Sequence, residues 1–386
     1  MPSARIQAVQ PSATLRITAL AKELQAKGES VINLAAGEPD FDTPPAAKDA
    51  AIQAIREGFT KYTPTTGIPQ LKSAVAEYLK KSRNLSYRPD QVAVTNGAKQ
   101  AIYNLLQVLV EPGDEVLIPA PYWLSYPEMV RLAGATPVFV PTLAQNRFHL
   151  EAKAMERSLT PQTKCLILNS PSNPTGAVLP EAALRDIGEA ARKHSLWVIS
   201  DEIYSELVFD GRHASIAAVV PDLFEKTLVV DGVSKSFAMT GWRIGFLAGP
   251  KEIVEAAGRL QDHSTSNPSS ISQKAALGAL SMDSSFRDEM RKEFAGRRDL
   301  VVKALQDIPG ITFVKPEGAF YCFVDISKTG MGASVFAEKL LQEAKVALIP
   351  GEAFGAGTYV RISFAVGRKD LQEGLSRLGD FIRRAG

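Results

Sequence analysis

The sequence predicts an α/β protein: a large domain with a mostly parallel sheet covered on both faces by helices, and a smaller α+β domain beside it. Three observations carry this expectation. Short apolar runs alternate with helical patterns through the middle of the chain, which implies crossover connections between parallel strands. The pattern changes after Asn267-Pro268, where helices dominate before strands return. At 386 residues the chain is also long enough to divide its core between two domains.

In chain order, the amphipathic stretch Leu15–Lys27 ends at Gly28, a helix C-cap signal. The run Val31–Leu34 is short and apolar and breaks into Gly37-Glu38-Pro39-Asp40. Pro69 fits the first turn of a helix whose buried face is Leu71, Val75, Tyr78 and Leu79. Strands are predicted over Gln91–Val94, Glu115–Ile118, Pro137–Val140, Lys164–Leu168, Leu196–Ser200, Thr227–Val230 and Ile244–Ala248. Helical patterns between them include Lys99–Val110 and Glu181–His194. Helices then run to about residue 308, followed by strands Ile311–Val314, Ala319–Val324 and Tyr359–Phe364 mixed with helices. The predicted division is a large domain over 42–295 and a smaller one made of 1–41 plus 296–386.

Composition narrows the function classes. Lys+Arg number 44 against 42 Asp+Glu, a formal charge of +2, and a nucleic-acid or anionic-membrane partner would need clustered cationic surface instead. No apolar run reaches bilayer length, and the first ten residues lack the apolar core of a signal peptide, so a cytoplasmic protein is expected. Cys165 and Cys322 make no disulfide framework and read as buried thiols inside strands. The four histidines have no metal-ligand spacing, so no metal is expected.

In an open parallel sheet, ligands bind beyond the C-terminal strand ends. Polar and aromatic residues follow five of the predicted strands. They are Asn96-Gly97-Ala98-Lys99, Pro121-Tyr122-Trp123, Asn169 through Gly176, Asp201-Glu202-Ile203-Tyr204, and Ser234-Lys235 with Arg243 further on. Each has a task if the guest is an aromatic, phosphorylated cofactor. Gly97 and Ala98 offer free backbone N–H groups at a helix N-terminus to a phosphate. Ser234 and Arg243 add a hydroxyl and a forked guanidinium. Trp123 supplies a stacking face. Asp201 can keep a ring nitrogen protonated. Asn173 and Tyr204 can hydrogen-bond a ring phenolate, and Lys235 can condense with an aldehyde. Pyridoxal phosphate asks for such a set.

The run Ser234-Lys235-Ser236-Phe237-Ala238-Met239-Thr240-Gly241-Trp242-Arg243 resembles the lysine motif of class I aminotransferases. So do Asn169-Ser170-Pro171-Ser172-Asn173-Pro174-Thr175-Gly176, Asp201-Glu202-Ile203-Tyr204 and Gly37-Glu38-Pro39-Asp40-Phe41. The match is collinear from about Pro11 onward and is similar to bacterial aspartate aminotransferases of subgroup Ib. The resemblance implies a pyridoxal 5'-phosphate transferase of fold type I, acting as a homodimer with shared active sites. It implies that Tyr62 reaches the phosphate held by the neighbouring subunit. It also implies that Arg361 binds the substrate α-carboxylate, assisted by Gly37 and Asn173, and that Lys99, helped by Ser12 and Thr14, meets a second carboxylate. On this reading the amino acid displaces Lys235, the freed amine moves the Cα proton, and a 2-oxo acid is released. A second acceptor reverses the sequence, giving ping-pong kinetics.

The substrates implied are L-aspartate and L-glutamate with their 2-oxo acids. An aromatic or broad-range enzyme, prephenate included, is the alternative. Some relatives that accept prephenate carry a basic residue just before the Pro-Ser-Ala-Thr run, where this chain has Gln10. A carbon–sulfur lyase would use the same residues but release ammonia and pyruvate. The effector domain of a DNA-binding regulator would need a basic module before residue 30. A non-catalytic binding protein would be expected to lose Lys235 or Asp201, and both are present.

Overall fold

A computed structural model describes residues 2–9 and 13–385, apart from some side chains near both ends. Strand β1 (Ile32–Asn33) follows a helix over Ala13–Ala26 and the turn at Gly28, whose φ of +87° suits glycine. Seven strands then appear where apolar runs predict them: β2 (Val92–Thr95), β3 (Glu115–Ala120), β4 (Thr136–Pro141), β5 (Thr163–Asn169), β6 (Trp197–Asp201), β7 (Thr227–Gly232) and β8 (Gly245–Ala248). They form one sheet in the order β2-β8-β7-β6-β5-β3-β4. All neighbours are parallel except β8, which runs antiparallel to both β2 and β7. The β7–β8 pair ends with Gly232 opposite Gly245.

Both faces of this sheet are covered, which is why its strands read as continuous apolar runs rather than alternating ones. Val116, Ile118, Cys165 and Ile167 pack under the helix Ala98–Leu109, with Ile102, Leu105 and Leu106. Their chain neighbours Leu117, Leu166 and Leu168 face the other way, onto Leu184, Ile187 and Ala191 of the helix Glu181–Lys193. The helix Pro69–Arg83 begins at its proline and ends at Asn84 in the left-handed region, with Leu71, Val75, Tyr78 and Leu79 buried as its spacing predicts.

A second sheet lies C-terminal to a long helix, Ser285–Gln306. It combines β9 (Thr312–Phe313), β10 (Tyr321–Asp325), β12 (Ile349–Pro350) and β13 (Tyr359–Ser363) in the antiparallel order β12-β13-β10-β9. Strand β11 (Val346–Ala347) pairs instead with β1, in parallel, which ties the N-terminal segment to this region. The predicted strand over Ala319–Val324 starts two residues later, because Ala319 takes a φ of +56° and turns the chain. The core here joins Phe294, Phe320, Phe336, Phe364 and the helix Arg368–Ala385. Among the described residues no helix is long and apolar enough to cross a membrane.

Candidate active site

The C-terminal ends of the central strands open into a cavity of about 370 Å³, within the range of small-molecule sites. Its walls come from both sheets: Ala98, Trp123, Asp201 and Lys235 follow strands of the seven-stranded sheet, while Tyr321 and Arg361 belong to the four-stranded one.

One end of the cavity is a basic cradle. The helix Ala98–Leu109 starts at Gly97, which adopts φ +85°, so its first N–H groups have no intrahelical partners. Any side chain at Gly97 would collide with the Arg243 guanidinium, 2.4 Å from the position of a Cβ. Gly245 is equally constrained: a Cβ there would lie 2.2 Å from the backbone nitrogen of Ala98. The strand end and the helix start therefore touch backbone to backbone. Arg243 adopts φ +55° and donates to the carbonyls of Thr240 and Asn96, both at 3.1 Å. Ser234 is buried beside it. Free N–H groups, a hydroxyl and a guanidinium form a phosphate-binding set.

The middle of the cavity pairs a buried acid with an amine. Asp201 is 3% exposed and has a donor on each carboxylate oxygen: the Tyr126 hydroxyl at 2.6 Å and the Ile203 N–H at 3.2 Å. Burial pushes its pKa up to about 6, against the pull of those two donors. Lys235 donates from Nζ to the Gly37 carbonyl at 2.6 Å. Desolvation lowers its pKa to about 8; Glu38 pulls upward while Arg243 and Arg361 add repulsion. A lysine so shifted keeps a useful fraction of neutral, nucleophilic amine near neutral pH. Trp123 meets Tyr126 edge-on, with ring centroids 5.2 Å apart. The Tyr204 hydroxyl lies 3.0 Å from that of Tyr321.

At the other end, Arg361 is 2% exposed yet carries a guanidinium. It donates to Asn173 Oδ1 at 3.0 Å and to the Ala35 carbonyl at 2.9 Å, and it lies over the Tyr321 ring at 4.3 Å from the centroid. Its Nε has no partner among the described residues. The loop carrying Asn173 is held from within, since the Asn173 N–H donates to Asn169 Oδ1 at 2.9 Å.

The cavity thus brings together Gly37, Ala98, Lys99, Trp123, Asn173, Asp201, Tyr204, Ser234, Lys235, Arg243 and Arg361, with Gly97 just beneath. Lys99 is exposed, and its Nζ sits 4.9 Å from the Trp123 ring centroid. Burial and then Arg243 lower its pKa. Tyr62 is 92% exposed and takes no part in the cavity wall. Gln10 and Ser12 lie outside the described residues, as does the side chain of Thr14. Sequence reading missed Tyr126, Tyr321, Thr240 and Glu38. Thr240 Oγ1 donates to Glu38 at 2.7 Å, clasping the Gly37–Asp40 segment over the lysine loop. Glu38 and Thr240 stood inside the quoted motifs, whereas Tyr126 and Tyr321 look like ordinary core aromatics.

The chain is similar to known proteins in both sequence and fold. Residues 29–378 match the family model of aminotransferase class I and II. An aspartate aminotransferase of Geobacillus stearothermophilus is 47% identical over 384 residues, covering 98% of each chain. An aspartate/prephenate aminotransferase of Cereibacter sphaeroides is 48% identical, covering 97% of this chain and 96% of the relative. The structure of an aspartate aminotransferase from Thermus thermophilus with maleate superposes with a TM-score of 0.95 at 43% identity, covering 98% and 99% of the two chains.

Proposed function

Because the chain belongs to the aminotransferase class I and II family, we propose that it exchanges the amino group between L-aspartate or L-glutamate and 2-oxo acids, with pyridoxal 5'-phosphate as cofactor. The observation that carries the reading is the convergence of Lys235, Asp201 and Arg361 on one cavity: an amine of lowered pKa, a buried carboxylate and a buried guanidinium.

The donor set fits the cofactor on chemistry as well as size. The N-terminal N–H groups of the helix Ala98–Leu109, with Ser234 and Arg243, would hold the phosphate. Trp123 would lie against the ring, Asn173 and Tyr204 would donate toward its phenolate, and Asp201 would face its nitrogen. When bound, the cofactor supplies an aldehyde that condenses with amines and a protonated ring that draws electrons from the substrate Cα.

The residues then divide the work. Arg361 clamps the α-carboxylate through its two-pronged guanidinium, helped by Asn173 and the Gly37 backbone. This would fix the Cα–H bond in front of Lys235, whose neutral amine would take the Cα proton onto Nζ and hold it. Asp201, kept dry and doubly hydrogen-bonded, would stay anionic and hold a proton on the ring nitrogen. Lys99, with Ser12 and Thr14, would receive the distal carboxylate. A dicarboxylate preference is supported by the name of the Geobacillus relative and by the maleate in the Thermus structure, maleate being a dicarboxylate. The Cereibacter relative, similar to about the same degree, supports prephenate as a further acceptor.

A homodimer with shared sites and the division into 42–295 and 1–41 plus 296–386 belong to the same proposal. Exposed Tyr62, free to reach a neighbour, supports the first. The separate sheets and the β1–β11 pair support the second, although the helix Ser285–Gln306 runs unbroken through position 295.

The test is a half-reaction without acceptor, following the long-wavelength absorbance of the bound cofactor. L-Aspartate is expected to bleach it quickly and L-phenylalanine slowly. Equal rates would favour the broad-range alternative. No absorbance after added pyridoxal phosphate would overturn the assignment.

A further inference from the structure

Behind the cavity lies a set of buried charges to which the proposed reaction gives no task. Arg83 leaves the last turn of the helix Pro69–Arg83, and its side chain is 1% exposed. Its Nε lies 2.8 Å from Glu202 Oε2, an ion pair without hydrogen-bond geometry, and its Nη2 pairs with Asp231 and with the Ser205 hydroxyl. The two carboxylates are buried as deeply, at 1% and 0%. Glu202 also accepts from Ser200 at 2.9 Å and sits 3.0 Å from His213 Nε2. Asp231 accepts from the Gly232 N–H at 2.6 Å.

Sinking one arginine and two carboxylates into a core is seldom a route to stability, because desolvation cancels most of the attraction. Packed apolar side chains would serve as well. The location of the cluster gives the charges a different use. Glu202 is the chain neighbour of Asp201 at the end of β6, and Asp231 precedes the Lys235 turn at the end of β7. These strands are parallel neighbours, with Asp201 opposite Val230. A planar guanidinium can grip two carboxylates in a fixed fork, which a single ammonium cannot.

We propose that Arg83 is a positioning residue for amino-group exchange: by holding Glu202 and Asp231 at once, it fixes the separation of the two strand ends that present Asp201 and Lys235. The proposal rests on the reading that those two residues act together on one cofactor. Reactivity falls steeply when such groups are displaced by an ångström. The cluster also reaches Asp201 electrostatically. The charge of Glu202 works against ionisation of Asp201, while Tyr126 and Lys235 work for it; Asp201 in turn disfavours ionisation of Tyr204. Asp231 faces Arg83, Glu202 and Glu206.

The experiment compares cofactor-loaded parent enzyme with two variants, Arg83→Lys and the charge-free triple Arg83→Met/Glu202→Gln/Asp231→Asn. Melting temperature, with and without cofactor, reads stability. The pH midpoint of the bound cofactor's visible absorbance reads the field at the ring. Steady-state kcat and KM with aspartate and 2-oxoglutarate read positioning. The triple variant is expected to melt close to the parent, because no buried carboxylate or guanidinium of the cluster is left without its partner. Its kcat should fall about 10- to 100-fold with KM within about threefold, and its absorbance midpoint should move by about half a pH unit or more. Arg83→Lys, which keeps the charge and loses the fork, should fall between the two in kcat. A folded triple variant with parental kcat and parental midpoint would overturn the proposal. So would losses in both variants that follow melting temperature alone. A parent that binds no cofactor and turns over no aspartate would overturn the underlying reading itself, and is recognised before any variant is measured.

Discussion

The two ends of the substrate cavity are built on different principles. At the end proposed to receive the α-carboxylate, Arg361 is buried, held by Asn173 and the Ala35 carbonyl, and seated on Tyr321. At the end proposed for a distal carboxylate Lys99 is exposed, and its amine rests against the Trp123 ring with no hydrogen bond or ion pair among the described residues. Every amino acid carries an α-carboxylate, so a rigid, preorganised receptor there lowers the ordering cost of binding for all substrates. Side chains differ, and a mobile cation on a flexible stem can meet or leave a second carboxylate at little cost. Rigidity marks what substrates share. Looseness marks where they are told apart.

Three substitutions would break or sharpen this contrast. The largest effect is expected outside it, as a reference. Lys235→Ala should reduce transamination by about 10⁴-fold or more for every substrate, while the cofactor remains bound non-covalently. Steady-state turnover and borohydride trapping would check this. In the parent, trapping on added cofactor should rise between pH 7 and 9, as the amine with its pKa of about 8 loses its proton.

Arg361→Lys should come next. Loss of the two-pronged clamp in a dry site is expected to lower kcat/KM roughly a hundred- to a thousandfold, equally for aspartate and phenylalanine. Stopped-flow half-reactions with both amino acids would measure it. A loss confined to aspartate would contradict a shared, rigid end.

Lys99→Ala should be the smallest and the most selective. About a tenfold loss in kcat/KM is expected for aspartate, because an exposed charge is worth little. For phenylalanine the change should stay within about twofold, or become a gain as the open space beside Trp123 grows. Equal losses for both would remove Lys99 from the distal site and leave Ser12 and Thr14 to be tested.

Much of the site was legible because the chemistry sits at strand ends in consecutive motifs. Lys235, Asp201 and Asn173 each follow an apolar run and Arg243 directly precedes one, and a reader who expects a parallel sheet knows where to look. Most of the seven central strands were legible as apolar runs, β2, β7 and β8 being buried throughout, whereas β4 is mostly exposed or half-buried and showed itself only by Val138-Phe139-Val140. The antiparallel direction of β8 was not, since a run such as Ile244–Ala248 carries no sign of its orientation. Strands β11 and β12 are two residues each, too short for any period to register. Tyr126 escaped notice because an aromatic on an amphipathic helix reads as packing until Asp201 is seen 2.6 Å away. Arg83 ends a helix whose last turn also carries Lys80 and Lys81, and only the fold reveals that it turns inward.

The reversal of β8 has a mechanical consequence. Because β7 and β8 are antiparallel and meet at Gly232 and Gly245, the segment between them is a closed hairpin excursion rather than a crossover. Lys235 rides near the start of that excursion and Arg243 near its end, so the gap between the reactive amine and the phosphate cradle is gauged by one short piece of chain, like the jaws of a caliper. Gly245 then presses that caliper against the first turn of the neighbouring helix. One added or deleted residue between 233 and 244 would change the gauge itself.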